Sequence, residues 1–354
     1  MNGIGAIRSC IEKPLRPPQI QDASLQTKAL RAAFLKNKIW PKEHVLKVQF
    51  IETPKGALAW TPLAKLKSIR SDGKINNPDP IEGRIRELNS PQEAVKTVVM
   101  ERIQPIIGMQ IEFISDNNSR GDIRIGFNPD EGSYSLVGVD AIKQDAPKKT
   151  MNFGWLDAGT IIHEFGHALG MIHEHQNPRG KPIPWNLNKL YEWAKKTQGW
   201  DKKTTDTNIV NRYDINQING SDFDPLSVML YFFSKELTMD DKGTDMNNRL
   251  SRTDVLWINN MYPNSRVTPD YFYRNVYGEN ITGGWSISVI FKSLFVIDRT
   301  RIVRTIVSGL LIISILVLIF MGTMRWWKMR LPSFKKSRGK KVTIAKSSRY
   351  GRNF

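Results

Sequence analysis

The sequence predicts an α+β domain built on a mixed sheet, followed by one apolar helix long enough to cross a bilayer. Three observations predict it: short stretches of apolar/polar alternation from Val45 onward, two helix starts with complete capping signals, and an unbroken apolar run from Thr305 to Met324.

The alternation begins with Leu46, Val48 and Phe50 set against Lys47 and Gln49, the period-two pattern of a half-buried strand. Residues 53–90, punctuated by Pro54, Gly56, Pro62, Gly73, Pro78, Pro80 and Gly83, read as a loop-rich insertion. A helix then starts on three agreeing signals: Ser90 as N-cap, Pro91 at the first helical position and Glu93 at the third. Val95, Val98, Val99, Ile103 and Ile106 give it one apolar face. Further strands are expected at Ile111 to Ile114, at Ile123, Ile125 and Phe127 alternating with Arg124 and Gly126, and from Ser133 to Val139. A closing helix starts at Ser251 with Asp254 three residues on.

Around this domain, expected at 39–263, lie an N-terminal extension or pro-segment (1–38), a juxtamembrane linker (264–304), the apolar run (305–324) and a basic tail (325–354). The apolar run has 20 residues without proline or any ionisable group, and at about 1.5 Å per residue it spans about 30 Å, the thickness of a bilayer core. Trp326 and Trp327 follow where an interfacial aromatic belt would sit. A single-pass membrane protein is expected. The N-terminus has no apolar run long enough for a signal peptide, whereas the charge excess behind the span favours a cytosolic tail, so sidedness and the kind of membrane stay open.

Charge follows the same division. The 354 residues carry 52 Lys plus Arg against 34 Asp plus Glu, a net charge of +18, and residues 325–354 hold 11 of those cations and no acid. The basic excess is therefore mostly a tail placed to meet anionic headgroups. Its few aromatics, Phe334, Tyr350 and Phe354, are too sparse for a base-stacking platform, which argues against a nucleic-acid partner. A single cysteine, Cys10, excludes a disulfide-stapled scaffold and any cysteine-ligated metal centre, and reads as a free thiol. A metal would have to be held by histidine and carboxylate.

Of five histidines, four fall at 163, 167, 173 and 175. His163 and His167 are four residues apart, about 40° around a helix, so both imidazoles project from one face and can share a metal. Ile161, Ile162, Phe165, Ala168 and Leu169 make the other face apolar. Gly170 can adopt positive φ and end the helix, delivering His173 as a third ligand that a continuing helix would misdirect. Three neutral imidazoles leave a tetrahedral zinc ion one open position, the catalytic arrangement. Glu164 lies roughly 60–100° around the helix from the ligands, placed to act as general base on a water at that position. His175, two residues past His173, is left out of the ligand set, and His44 stands alone.

The motif His163-Glu-Phe-Gly-His167-Ala-Leu-Gly170-Met-Ile-His173, followed at once by Glu174, resembles the astacin branch of the metzincin zinc endopeptidases. Ser227-Val-Met229-Leu-Tyr231 is similar to that family's Met-turn, and Ile39-Trp40-Pro41, Tyr134 to Val139, Trp185-Asn186 and Gly199-Trp200-Asp201 match further. The resemblance implies a metzincin-type protease domain with a twisted mixed sheet, an active-site helix and a Met-turn, binding one zinc ion. It implies Met229 as an apolar floor under the metal, and Tyr231 as a phenol that stabilises the oxyanion. It implies a protein or peptide substrate and Tyr134 to Val139 as the strand lining it. Leu230 stands where animal members commonly have histidine, and the disulfides usual in those members are absent. The function expected is a membrane-anchored zinc endopeptidase; the alternative is a zinc-bound, non-catalytic interaction module that keeps the protease fold.

Overall fold

The computed structural model describes the backbone of residues 11–12 and residues 34–278, apart from 54–57, 68–69, 71–73, 75–77, 116–118, 221 and 265. All of these fall within one compact unit, Met1–Ile290. Cys10, the apolar run 305–324 and the basic tail lie outside the described residues. Among the described residues no helix is long and apolar enough to cross a membrane.

In chain order the elements are β1 (Ile11–Glu12), β2 (Phe34–Leu35), β3 (Val45–Phe50), α1 (Leu63–Leu66), α2 (Glu82–Ile85), α3 (Pro91–Val98), β4 (Gln110–Ile114), β5 (Ile123–Gly126), β6 (Tyr134–Ser135), α4 (Asp140–Lys143), β7 (Met151–Asn152), α5 (Ala158–Ala168), α6 (Leu187–Gln198), α7 (Lys202–Thr205), β8 (Ile218–Asn219), α8 (Arg252–Met261) and α9 (Pro269–Tyr277). Six strands form one sheet in the order β1-β6-β7-β5-β3-β4. β3 pairs in parallel with β4 and β5, β5 pairs in parallel with β7, and β6 runs antiparallel to β7. The mixed α+β architecture is therefore the one expected. β1 lies parallel to β6, with Ile11 opposite Tyr134 and Glu12 opposite Ser135.

The strand expected from Ser133 to Val139 is shorter than its alternation suggested: only Tyr134–Ser135 pair as strand. Gly138 adopts φ +50, and a Cβ there would sit 1.8 Å from the Lys38 carbonyl oxygen, so the chain turns away from the sheet into α4. Arg124 departs from simple alternation too. It is buried in a strand covered on both faces, and its guanidinium donates to the carbonyls of Lys148 (2.7 Å), Gly121 (3.0 Å) and Gln144 (2.8 Å). Carbonyl acceptors thus take the place of solvent around a buried cation.

α3 starts as its capping signals require, with the Glu93 N–H donating to Ser90 Oγ at 3.1 Å. The helical path continues through a wider turn at Val99–Ile103, then Pro105 tightens and ends it. α8 carries the full reciprocal capping box of Ser251 and Asp254.

α5 is the element the rest positions. Asp157 caps it, accepting from Thr160 N at 2.7 Å, and every residue from Ala158 to Ala168 is buried. The last carbonyls of such a helix lack intrahelical partners. Here they accept from elsewhere: His167 O from Gly138 N (2.9 Å), Ala168 O from Trp40 Nε1 (2.7 Å) and Leu169 O from Tyr262 Oη (2.7 Å). Segments from three distant parts of the chain fix its C-terminal end.

Two packed pieces lie beyond the 39–263 boundaries read from sequence. Phe34 is fully buried in the main core, and β2 pairs with β8. α9 lies in the stretch read as linker, with Phe272 and Tyr273 in the same core. Their sequence cues are weak because each contributes only a few buried side chains to a core built mostly elsewhere.

Candidate metal centre

His163 and His167 stand one turn apart on α5, their ring centroids 4.8 Å apart. Gly170, at φ +98, ends the helix; Met171 N and Gly170 N return to the carbonyls of Gly166 (2.9 Å) and His167 (2.8 Å). β2 anchors the outgoing chain, with Leu35 N donating to Gly170 O at 3.1 Å and Phe34 bridging to Met171. The turn brings His173 Nε2 to 3.0 Å from His167 Nε2. The three candidate ligand atoms all lie within 4.8 Å of one another.

Hydrogen bonds set the tautomers. A carbonyl oxygen can only accept, so His163 Nδ1–H donates to Val228 O (2.8 Å) and His167 Nδ1–H to Met171 O (2.9 Å). Each Nε2 is then left with its lone pair. The Gln176 side chain lies against His173 and acts on it electrostatically, and its Nε2 is itself anchored on Thr207 O (2.9 Å) and Asn211 O (3.0 Å). Burial lowers the His163 pKa to about 4 and keeps His167 and His173 well below the usual histidine value, so all three are neutral near pH 7.

These residues fit a zinc ion on observations internal to the chain. His163 Nε2 is buried with no hydrogen-bond partner among the described residues, a state that is costly unless a ligand completes it. Two ligand nitrogens on one tetrahedral zinc, at Zn–N of about 2.0–2.1 Å, stand about 3.3 Å apart, close to the 3.0 Å between His167 and His173.

The remaining expected residues surround this group. Glu164 is fully buried on α5 beside His163. Tyr231 places its ring 4.1 Å from His173 and 5.7 Å from His163, centroid to centroid. Met229 is fully buried, and its Sδ lies 2.6 Å from where a Cβ on Gly166 would stand, so the thioether packs on the helix between the two helical ligands. Glu174 is buried and braces the third-ligand loop: its N–H donates to Met229 O (3.0 Å), while its Oε1 accepts from Asn177 Nδ2 (2.9 Å) and Asp224 N (2.8 Å). Burial raises its pKa well above the usual carboxylate range.

His175 belongs outside the ligand group, as expected, because its Nε2 meets Asn208 O at 3.0 Å. His44 stacks on Trp40 and pairs with Asp122 at 2.8 Å.

Several supports carried no sequence signal. Gln176, and the carbonyls of Val228 and Met171, orient ligands through contacts that no local pattern encodes. Asp254 reads from sequence only as a helix cap. In the fold it also accepts from Ser227 Oγ (2.7 Å) and Val228 N (2.9 Å), tying α8 to the turn whose Val228 carbonyl orients His163. Desolvation, then its neighbour Asp224, pushes its pKa up to about 7.

A sheet over a buried helix with a two-plus-one set of neutral histidines defines the class, a zinc metallopeptidase domain of the metzincin kind. Comparison with known proteins narrows it. Residues 93–263 match the family model of the astacin peptidases. The zinc metalloproteinase nas-4 of Caenorhabditis elegans is 38% identical over 64 residues, which are 18% of this chain and 19% of that protein. The zinc metalloproteinase nas-13 of the same organism is 31% identical over 157 residues, 41% of this chain and 32% of that protein. These matches thus span less than a third of the length of either relative. The solved structure of myroilysin is 30% identical and superposes with a TM-score of 0.52, covering 66% of this chain and 100% of that one. The chain belongs with the astacin-like zinc metallopeptidases, and its three-histidine group is a site for one zinc ion.

Proposed function

We propose that this chain is an endopeptidase that hydrolyses peptide bonds in protein or peptide substrates. The observation that carries the reading is the converging set of three buried, neutral imidazoles with Glu164 between the two helical ones.

A zinc ion held by His163, His167 and His173 would supply Lewis-acid polarisation of the scissile carbonyl and acidify a water to a pKa of about 7. Glu164 takes the proton of the attacking water, because its backbone position between the ligands keeps its carboxylate off the metal and beside the nucleophile. It then returns that proton to the leaving amine. Tyr231, its ring against His173, offers a phenolic O–H to the oxyanion. Met229 and Glu174 touch no reacting atom in this reading; they hold the floor and the third-ligand loop.

The same proposal has the chain anchored by 305–324, with the tail 325–354 on anionic headgroups, an assignment supported by sequence alone. β1, lying parallel on β6, supports reading the chain ahead of Phe34 as a pro-segment covering the strand expected to receive substrate.

The test is cleavage of quenched casein by the zinc-loaded full chain, before and after limited proteolysis ahead of Phe34. Cleavage that stops with chelator and returns with zinc is expected. Zinc bound at one per chain without turnover in either form would leave the interaction-module reading instead. Protease protection of the domain in isolated membranes tests the anchor and fixes its sidedness.

A further inference from the structure

Beside His163 a cavity opens to solvent, and Tyr231 forms part of its wall. A substrate whose scissile carbonyl sits at the metal must place an adjoining side chain near this opening. The wall is apolar, from Leu66, Trp155, Leu230 and Met246.

Two of its polar lining groups, Asn248 and Asp157, present acceptors. Asn248 is 3% exposed, and its Nδ2 donates to Leu66 O at 2.9 Å. That bond fixes which side-chain atom is the oxygen, and this Oδ1 is buried with no hydrogen-bond partner among the described residues. The Asn248 backbone is held, its Cα lying 2.7 Å from where a Cβ on Gly159 would stand, against the first turn of α5. A buried amide oxygen lacking a donor is costly in the free chain, and that cost is recovered when a donor arrives from the cavity that Asn248 lines. Asp157 lies in the same cavity, 5% exposed, accepting from Thr61 Oγ1 (2.5 Å), Thr160 Oγ1 (2.9 Å) and Thr160 N (2.7 Å). It adds negative charge to the floor. Lys65, the cation among the lining residues, is exposed at the rim, where water screens it.

We propose that this cavity selects, next to the scissile bond, a long side chain with an apolar stem and an N–H-bearing end, glutamine, arginine or lysine, which donates to Asn248 Oδ1. The proposal rests on the peptidase reading and names its substrate preference. α1, in the insertion 53–90, supplies part of the recognising wall through Leu66.

The test uses the zinc-loaded full chain and a quenched peptide series varied at the two residues flanking the cleaved bond, with cleavage sites mapped by mass spectrometry. The sharpest pair is glutamine against glutamate, equal in shape but opposite at the tip. Glutamine is expected to exceed glutamate, and also leucine, in kcat/KM by about tenfold at one flanking position. Asn248→Leu should collapse the glutamine-to-leucine ratio towards one. A ratio measured on one sample does not depend on how much of it is folded, and the wild-type profile decides the matter even if the variant does not accumulate. Glutamate cleaved as well as or better than glutamine would overturn the proposal, most directly if that preference vanished in Lys65→Ala, since Lys65 would then be the selecting group. A flat profile overturns it too while leaving the peptidase reading intact. No cleavage of any peptide overturns both.

Discussion

The metal site is assembled from two unlike regions. Two of its ligands sit on α5, a buried helix inside a large continuous core and pinned at its end by Trp40, Gly138 and Tyr262. The third sits on irregular chain after Gly170, between the edge of that core at Met171, Val228 and Met229 and smaller clusters such as Tyr231 with Trp155, Leu190, Ile209, Phe233 and Leu237. In the first region regular hydrogen bonding and burial hold a ligand. In the second, side chains reaching for isolated carbonyls do the same work: Gln176 to Thr207 and Asn211, and His175 to Asn208. A rigid helix fixes the shared axis of the site, and a loop tethered at a few points closes it.

If that contrast is right, substitutions at groups aimed at substrate, Glu164 on the helix and Tyr231 below it, should separate chemistry from metal binding, and substitutions at the tethers of the loop should couple the two. Glu164→Gln, on the helix, is expected to give the largest loss, about 10²–10⁴-fold in kcat, with zinc retained at one per chain by metal analysis. Tyr231→Phe should lower kcat by about 10²–10³-fold with little change in zinc affinity, read from steady-state kinetics and metal titration together. Gln176→Leu should weaken zinc binding about 10–100-fold and alter the visible spectrum of the cobalt-substituted protein, with Gln176→Glu, which keeps an acceptor for His173, partly restoring both. An unchanged zinc affinity in Gln176→Leu would mean that the loop needs no tether and that the contrast between the regions is wrong.

The smallest effect expected is on the chelator-treated protein. His163 and His175 have pKa values lowered by burial to about 4, against 6.5 for an ordinary histidine. Between those values these two rings take up protons in the unfolded chain and not in the folded one, so their contribution to stability is full above pH 6.5 and falls as the pH drops towards 4, while the raised carboxyls of Asp254 and Glu174 act in the opposite direction. Thermal melts of the chelated protein should therefore lose more on acidification through this window in the unsubstituted chain than in His175→Gln, which lacks one of the two rings. The same pH dependence in both would contradict the burial of that ring.

The same contrast explains what could be read in advance. Sheet, capped helices and helical ligands were legible because each is a local repeat: alternation for β3 and β5, Ser90 and Glu93 for α3, a spacing of four for His163 and His167. The shortened β6 was not legible, since only the approach of Gly138 to the Lys38 backbone ends it. Nor were Phe34, α9, Gln176 or Asn248, whose partners lie far away in the chain or offer only backbone carbonyls, which any sequence provides.

Sequence by itself determined which side chains could meet a metal, because about 3.6 residues per turn and a glycine free to adopt positive φ are properties of the local chain. Tertiary structure alone decided which nitrogen of His163 and of His167 is taken by a carbonyl, what lies against His173, and which acceptors line the cavity beside His163. Those depend on where carbonyls and amides from distant segments come to rest, and only the packed core sets that.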